Sequence, residues 1–272
     1  MMPLLPENDR VSLSIDADGV AHVRMNRADK LNALDDAMID TLIAAGHALH
    51  DLPALRCVVL SGEGRAFCAG LDLAAMGGNL ASGTLDLVTR SHGNANRFQQ
   101  VAVQWRTLPV PVIAAIHGVC FGGGLQIAAG ADIRLATPDA RLAVMEMKWG
   151  IVPDMGLFAL LRGTMRDDAL RELTYTAREI TGAEAQAIGL VTRLEDEPLA
   201  AALNLAQSIA SRNPDALRAA KRLFNRAADQ SFDAILLDEA TEQQGLLGSP
   251  NQREAVMAGL QKRDARFVDP ES

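Results

Sequence analysis

The chain is 272 residues long, 49% hydrophobic, with a formal net charge of −8. That length fits one compact domain with a helical appendage rather than two independent domains, and that apolar share excludes a disordered chain. The acidic balance excludes a general nucleic-acid binder, which needs clustered Lys and Arg. The three cysteines, Cys57, Cys68 and Cys120, suit reduced thiols in a cytosol better than a disulfide framework.

The start, Met1 to Arg10, has no charged stretch followed by a long apolar core, so it does not read as a signal peptide. Val11–Ile15 and Val20–Met25 alternate apolar and polar residues around Ala17-Asp18-Gly19, which predicts a β-hairpin. Asp35 is placed to cap a helix running to about Leu52, with Met38, Leu42, Ala45 and Leu49 on one face. Cys57 to Leu60 then predicts a short buried strand, left through the small residues of Ser61-Gly62-Glu63-Gly64. A helix is predicted over roughly Asp86 to Leu108, stopped by Pro109 and Pro111. Further strands are predicted at Ile113–Ile116, Ile133–Leu135 and Leu142–Met145.

Val110 to Ala131 contains no Asp, Glu, Lys or Arg and imitates a membrane span, but Pro109 and Pro111 at its start and its triple glycine fit a strand, a turn and a buried helix instead. From Pro198 onward the pattern is helical only, over Ala201–Ser211, Pro214–Ala228, Phe232–Leu246 and Gln252–Arg263. Short strands mixed with helices make this an α/β chain, organised as a core over 1–197 and a helical region over 198–272.

Two turns carry candidate chemistry. In His117-Gly118-Val119-Cys120-Phe121-Gly122-Gly123-Gly124-Leu125-Gln126 three glycines join a strand to a helix, which brings backbone N–H groups close to whatever lies opposite. The turn Ala66-Phe67-Cys68-Ala69-Gly70-Leu71-Asp72 has the same strand-to-helix character. Two such turns can aim two donors at one developing oxyanion.

Together with Asn26-Arg27-Ala28-Asp29-Lys30-Leu31-Asn32-Ala33-Leu34, these segments resemble the crotonase superfamily of enoyl-CoA hydratases and isomerases, from about Val11 to Phe267. The resemblance implies a spiral of ββα units with C-terminal helices that build trimers, often paired into hexamers. It implies an enzyme acting on acyl-CoA thioesters, with no metal or redox cofactor and with coenzyme A carried by the substrate. A cytoplasmic setting, with neither nucleic acid nor membrane as partner, completes the expectation. The thioester oxygen would sit between the N–H groups of Leu71 and Gly123. Of the two glutamates of the hydratases, one matches Glu146 and the other is replaced by Gln126, an amide that can orient substrate or water but cannot shuttle a proton.

Asp154 stands where hydratases carry glycine. From the residues alone it caps a helix Met155–Arg162; from the resemblance it is the second acid of a dienoyl-CoA isomerase, or the nucleophile of a dehalogenase. The dehalogenase pattern also needs a histidine base and a tryptophan, and Trp149 lies three positions from the required place while His92 reads as an ordinary helix residue. The favoured reading is therefore a double-bond isomerase using Glu146 and Asp154. The alternatives are a hydratase using Glu146, and a non-catalytic acyl-CoA binder. Coenzyme A contacts are implied for Ala28, Lys30, Leu31 and Ala69, and for Lys262 and Phe267 from a neighbouring subunit. The segment Ala74 to His92, with Gly77, Gly78 and Gly83, is expected to shape the acyl pocket.

Overall fold

The computed structural model describes residues 8–75 and 86–270. The first seven residues, and Gly77, Gly78 and Gly83 of the expected pocket segment, lie outside the described residues. The strands are β1 (Val11–Ile15), β2 (Val20–Met25), β3 (Cys57–Gly62), β4 (Val112–Ile116), β5 (Val119–Phe121), β6 (Ile133–Ala136), β7 (Arg141–Ala143), β8 (Ile180–Thr181) and β9 (Arg193–Leu194). Six of them form a sheet in the order β1-β2-β3-β4-β6-β9, and β5-β7-β8 form a smaller one. The expected hairpin is the antiparallel β1–β2 pair, with Val11 opposite Met25. From β2 to β9 the main sheet is parallel.

A parallel sheet must be covered on both faces, and the alternation along β3 and β4 does this. Val58, Leu60, Val112, Ala114 and Ile116 face a core completed by Met38, Leu42 and Leu49 of helix Asp36–His50 and by Trp105 of helix Arg97–Thr107. Cys57, Val59, Ile113 and Ala115 face the other way, onto Ala202 and Ala206 of helix Pro198–Ala210. That first C-terminal helix therefore packs on the sheet rather than standing apart from residues 1–197. Helices Pro214–Ala227, Phe232–Leu246 and Pro250–Gln261 follow. Phe232–Leu246 has no fully buried residue within the chain. All three cysteines are free and buried.

Two expectations change. Residues 86–96 are not helical: the Asp86 carboxylate accepts the N–H groups of Val88 and Thr89, fixing a local turn, and Gly93 has φ 58°. The helix starts at Arg97, where Asn96 and Gln99 form a reciprocal capping box. The strand expected at Leu142–Met145 is shorter, because a 3₁₀ turn begins at Glu146. The run Val110–Ala131 divides into β4, β5 and helix Gly123–Gly130, and no helix among the described residues is long and apolar enough to cross a membrane.

Candidate active site

The site lies where the chain leaves the C-terminal ends of β3 and β4. Segment 67–72 runs between two neighbours. On one flank Cys68 donates its N–H to Val119 O and accepts from Phe121 N–H. On the other, Ala69 N–H donates to Leu31 O, Leu34 N–H to Gly70 O, and Asp72 N–H to Leu34 O. Because Leu34 bonds the residues on either side of Leu71, the N–H of Leu71 points away from Leu34, toward the flank that carries the glycine turn.

The glycine turn needs its glycines for specific reasons. Gly122 has φ 49° and ψ −119°, a conformation side chains avoid. A Cβ on Gly124 would lie 2.5 Å from Cys68 O, so only glycine lets the helix start rest on segment 67–72. A Cβ on Gly70 would stand 3.4 Å from Gly123 N, which shows how closely the two turns approach. Gly123 opens its helix, so its N–H has no intrahelical acceptor. Among the described residues, neither Leu71 N–H nor Gly123 N–H donates to a protein acceptor. A Cβ on Gly123 would meet Met155 Sδ at 2.9 Å and Leu34 Cδ1 at 3.0 Å, so a side chain there collides with packing rather than simply entering the space before the N–H groups.

Two more residues brace these turns. Asn32 is fully buried, accepts from Arg27 N–H through Oδ1, and donates through Nδ2 to Glu63 O at 3.0 Å and Ala66 O at 2.8 Å. Arg27 pairs with Asp72 at 2.8 Å. The backbone N–H of Ala75 and the Arg27 guanidinium together hold the Asp72 carboxyl below the usual carboxylate range.

Glu146 is 8% exposed and packs beside the glycine turn, where a Cβ on Gly122 would stand 3.4 Å from its Oε1. Its Oε1 accepts from Gln126 Nε2 at 2.7 Å. Its Oε2 is buried and has no hydrogen-bond partner among the described residues. Burial pushes the Glu146 carboxyl up, the charge of Asp154 adds to this, and the Gln126 hydrogen bond opposes it.

Gln126 itself is 1% exposed, and its Oε1 accepts from Met155 N–H at 2.8 Å and Leu157 N–H at 3.2 Å. Its oxygen and one amide hydrogen are committed to the protein, which leaves the second amide hydrogen for the substrate-positioning role expected of it.

Asp154 does not cap. The following helix is Leu157–Leu161, its N-cap is Gly156 with φ 101°, and no side chain bonds there. Among the described residues the Asp154 carboxylate has no ion pair, and burial pushes it up from the ordinary value. It lines a cavity of about 410 Å³ with Leu71, Leu87, Phe98, Ile151, Val152 and Met155. Apart from that one carboxylate, every side chain there is apolar. Leu87 belongs to the segment expected to shape the pocket, whereas Phe98 was not legible as a pocket residue, because it lies in the stretch that reads as a single helix.

The coenzyme A candidates divide into two groups. Ala28, Lys30, Leu31 and Ala69 come together beside Leu71: Ala69 is bonded to Leu31, and Lys30 is exposed on the 3₁₀ turn Ala28–Lys30. Lys262 and Phe267 do not join them within the chain. Their tail is tied by Val268 to Asn251 and by Asp269 to Arg56, at the opposite end of β3. His92 stacks obliquely near His47 with ring centroids 5.7 Å apart, and Trp149 is exposed.

The model of the enoyl-CoA hydratase/isomerase family matches residues 16–270. A mitochondrial Delta(3,5)-Delta(2,4)-dienoyl-CoA isomerase of Rattus norvegicus is 34% identical over 92% of this chain and 79% of its own length. A peroxisomal enzyme of the same name from Arabidopsis thaliana is 32% identical over 92% of each. Among solved structures, an enoyl-CoA hydratase from Bacillus anthracis superposes with a TM-score of 0.86 at 27% identity, covering 95% of this chain and 98% of that one.

Proposed function

The chain belongs to the enoyl-CoA hydratase/isomerase family, and from that membership we propose a double-bond isomerase that converts a 3,5-dienoyl-CoA into the 2,4-dienoyl-CoA. The observation that carries the reading is the pair Glu146 and Asp154. Both carboxyls are raised by burial; one packs beside the glycine turn and keeps an oxygen without a partner among the described residues, and the other is alone in an apolar cavity. Groups with these environments serve as base and acid near neutral pH.

In this reading the thioester oxygen lies between the N–H groups of Leu71 and Gly123, an oxyanion hole whose donors are fixed before the reaction starts. Glu146 Oε2 removes a proton from C2. The C2–H electron pair moves into the thioester, giving a conjugated trienolate held by the two N–H groups. The trienolate then takes a proton at C6 from Asp154, so the C2–H bond breaks, a C6–H bond forms, and no mass is gained or lost. Glu146 adjoins the turn that holds the carbonyl, which suits the near carbon. Asp154 lines the cavity that takes the chain beyond, which suits the far one. A pair sharing a single proton satisfies both roles at once.

Hydration would require a second group to activate or orient water, and the Gln126 oxygen is already engaged by two backbone N–H groups. No metal or redox group is invoked, coenzyme A arrives on the substrate, and the proposed setting is the cytoplasm. The proposal includes a homotrimer or a hexamer, supported by helix Phe232–Leu246, where Phe232 and Leu237 are exposed. In such an assembly Lys262 and Phe267 reach a neighbour's coenzyme A. The test is the reaction in deuterated water: label should enter at C2 and C6 with no gain of water. Addition of water to the double bond would overturn the isomerase reading.

A further inference from the structure

Nothing in the proposed proton path requires Gln126, yet it is the side chain that touches both halves of the machinery. We propose that Gln126 is the positioning residue that couples the two carboxylates, selecting the reactive oxygen of Glu146 with its amide nitrogen and fixing the turn that carries Asp154 with its amide oxygen. This rests on the isomerase reading for its catalytic consequence, while the coupling itself is a property of the free protein.

The orientation of the amide is unambiguous. Its oxygen faces two donors, Met155 N–H and Leu157 N–H, and its nitrogen faces an acceptor, Glu146 Oε1. A flipped amide would set NH₂ against two N–H groups and oxygen against a carboxylate, losing all three bonds. Since the donor takes up a lone pair of Oε1 and Oε2 has no partner among the described residues, Oε2 is the oxygen left freer to take a proton. Since Met155 and Leu157 are held, residues 154–157 cannot drift from residue 146. Asp154 is the charged side chain whose field reaches Glu146, and the Gln126 N–H is the side-chain contact that, beside the backbone N–H groups of Glu146 and Met145, counters burial and that charge.

Two substitutions separate the two ends of the amide. Gln126→Glu keeps an acceptor for Met155 and Leu157 but replaces the donor facing Glu146 by a second carboxyl. Gln126→Met removes both contacts at similar volume. The first measurement is hydrogen exchange at Met155 and Leu157, with the Glu146 carboxyl titration followed by carbon-13 labelling. Gln126→Glu should retain amide protection while the Glu146 titration moves to higher pH and becomes two-step. Gln126→Met should also raise the titration, and exchange at both amides should quicken by about tenfold, the scale of one lost buried hydrogen bond. Unchanged titration and unchanged exchange in Gln126→Met would overturn the coupling, whatever reaction the enzyme runs.

The second measurement is turnover against pH. In both variants kcat should fall with KM nearly constant, and the acidic limb should move up with the Glu146 titration. A variant whose KM rises while its pH profile stays in place would assign Gln126 to substrate binding instead. Should the wild-type protein hydrate rather than isomerise, the isomerase reading fails, and the titration and exchange results still decide the role of Gln126.

Discussion

Replacing Asp154 by Asn removes one proton carrier and little else. Its carboxylate makes no ion pair among the described residues, caps no helix, and projects into a cavity otherwise lined by apolar side chains. Loss of a positioned acid lowers kcat by about 10²–10⁴-fold, equivalent to roughly 2.7–5.5 kcal/mol of barrier. Stability should not fall. The folded-state pKa of Asp154 is raised by burial, so the folded chain holds this proton more tightly than the unfolded chain does. The Asp154 contribution to stability therefore declines as pH rises from the ordinary carboxyl value through the folded one. Asn removes that decline, and thermal unfolding near pH 7 should be unchanged or slightly higher. The assay pairs kcat with deuterium uptake at C2. Because Glu146 is the C2 base, exchange at C2 should persist in Asp154→Asn while product formation falls with kcat. Full isomerase activity in this variant, or loss of C2 exchange in a folded protein, would refute the division of labour between the carboxylates.

Glu146→Gln should abolish both C2 exchange and turnover, by about 10²-fold or more, with a normal unfolding temperature; exchange that survives would point to another base. Gly123→Val should destabilise by about 1–3 kcal/mol through overpacking against Met155 and Leu34, and Gly122→Ala should do so through its positive φ; calorimetry of both checks the strain. Phe98→Ala should enlarge the apolar cavity and move the preference toward longer or bulkier acyl chains, read from kcat/KM over a chain-length series. Leu237→Glu places a charge on an exposed position of a helix that has no fully buried residue within the chain. It should lower the assembly state by light scattering without melting the fold, and an unchanged oligomer would exclude that face from the interface.

Much of the scaffold was legible because it depends on local pattern. Asp35 caps the helix Asp36–His50 as its position predicts, accepting Met38 N–H, and the buried face of that helix follows its periodicity. The hairpin register follows from alternation and the Asp18-Gly19 turn. What escaped depends on contacts distant in sequence. Strand β5 is three residues long and pairs with β7 across an intervening helix, so it vanished into the glycine motif. The Gln126 contacts span 20 to 31 residues, and no spacing rule reaches them. Residues 86–108 carry helical composition, but the Asp86 turn and the Asn96–Gln99 capping box together place the start at Arg97. Asn96 three positions before Gln99 was the available signal for that boundary. Capping stayed open as the second reading of Asp154 because sequence could not show that Gly156 holds the N-cap position.

The most direct test incubates the protein with a 3,5-dienoyl-CoA in ordinary and in deuterated water and follows the product by mass spectrometry and nuclear magnetic resonance. The account predicts a 2,4-dienoyl-CoA of unchanged mass in ordinary water, with deuterium at C2 and C6 in heavy water and none elsewhere on the chain. A 3-hydroxyacyl product heavier by one water, or an unlabelled and unconverted substrate, would contradict it.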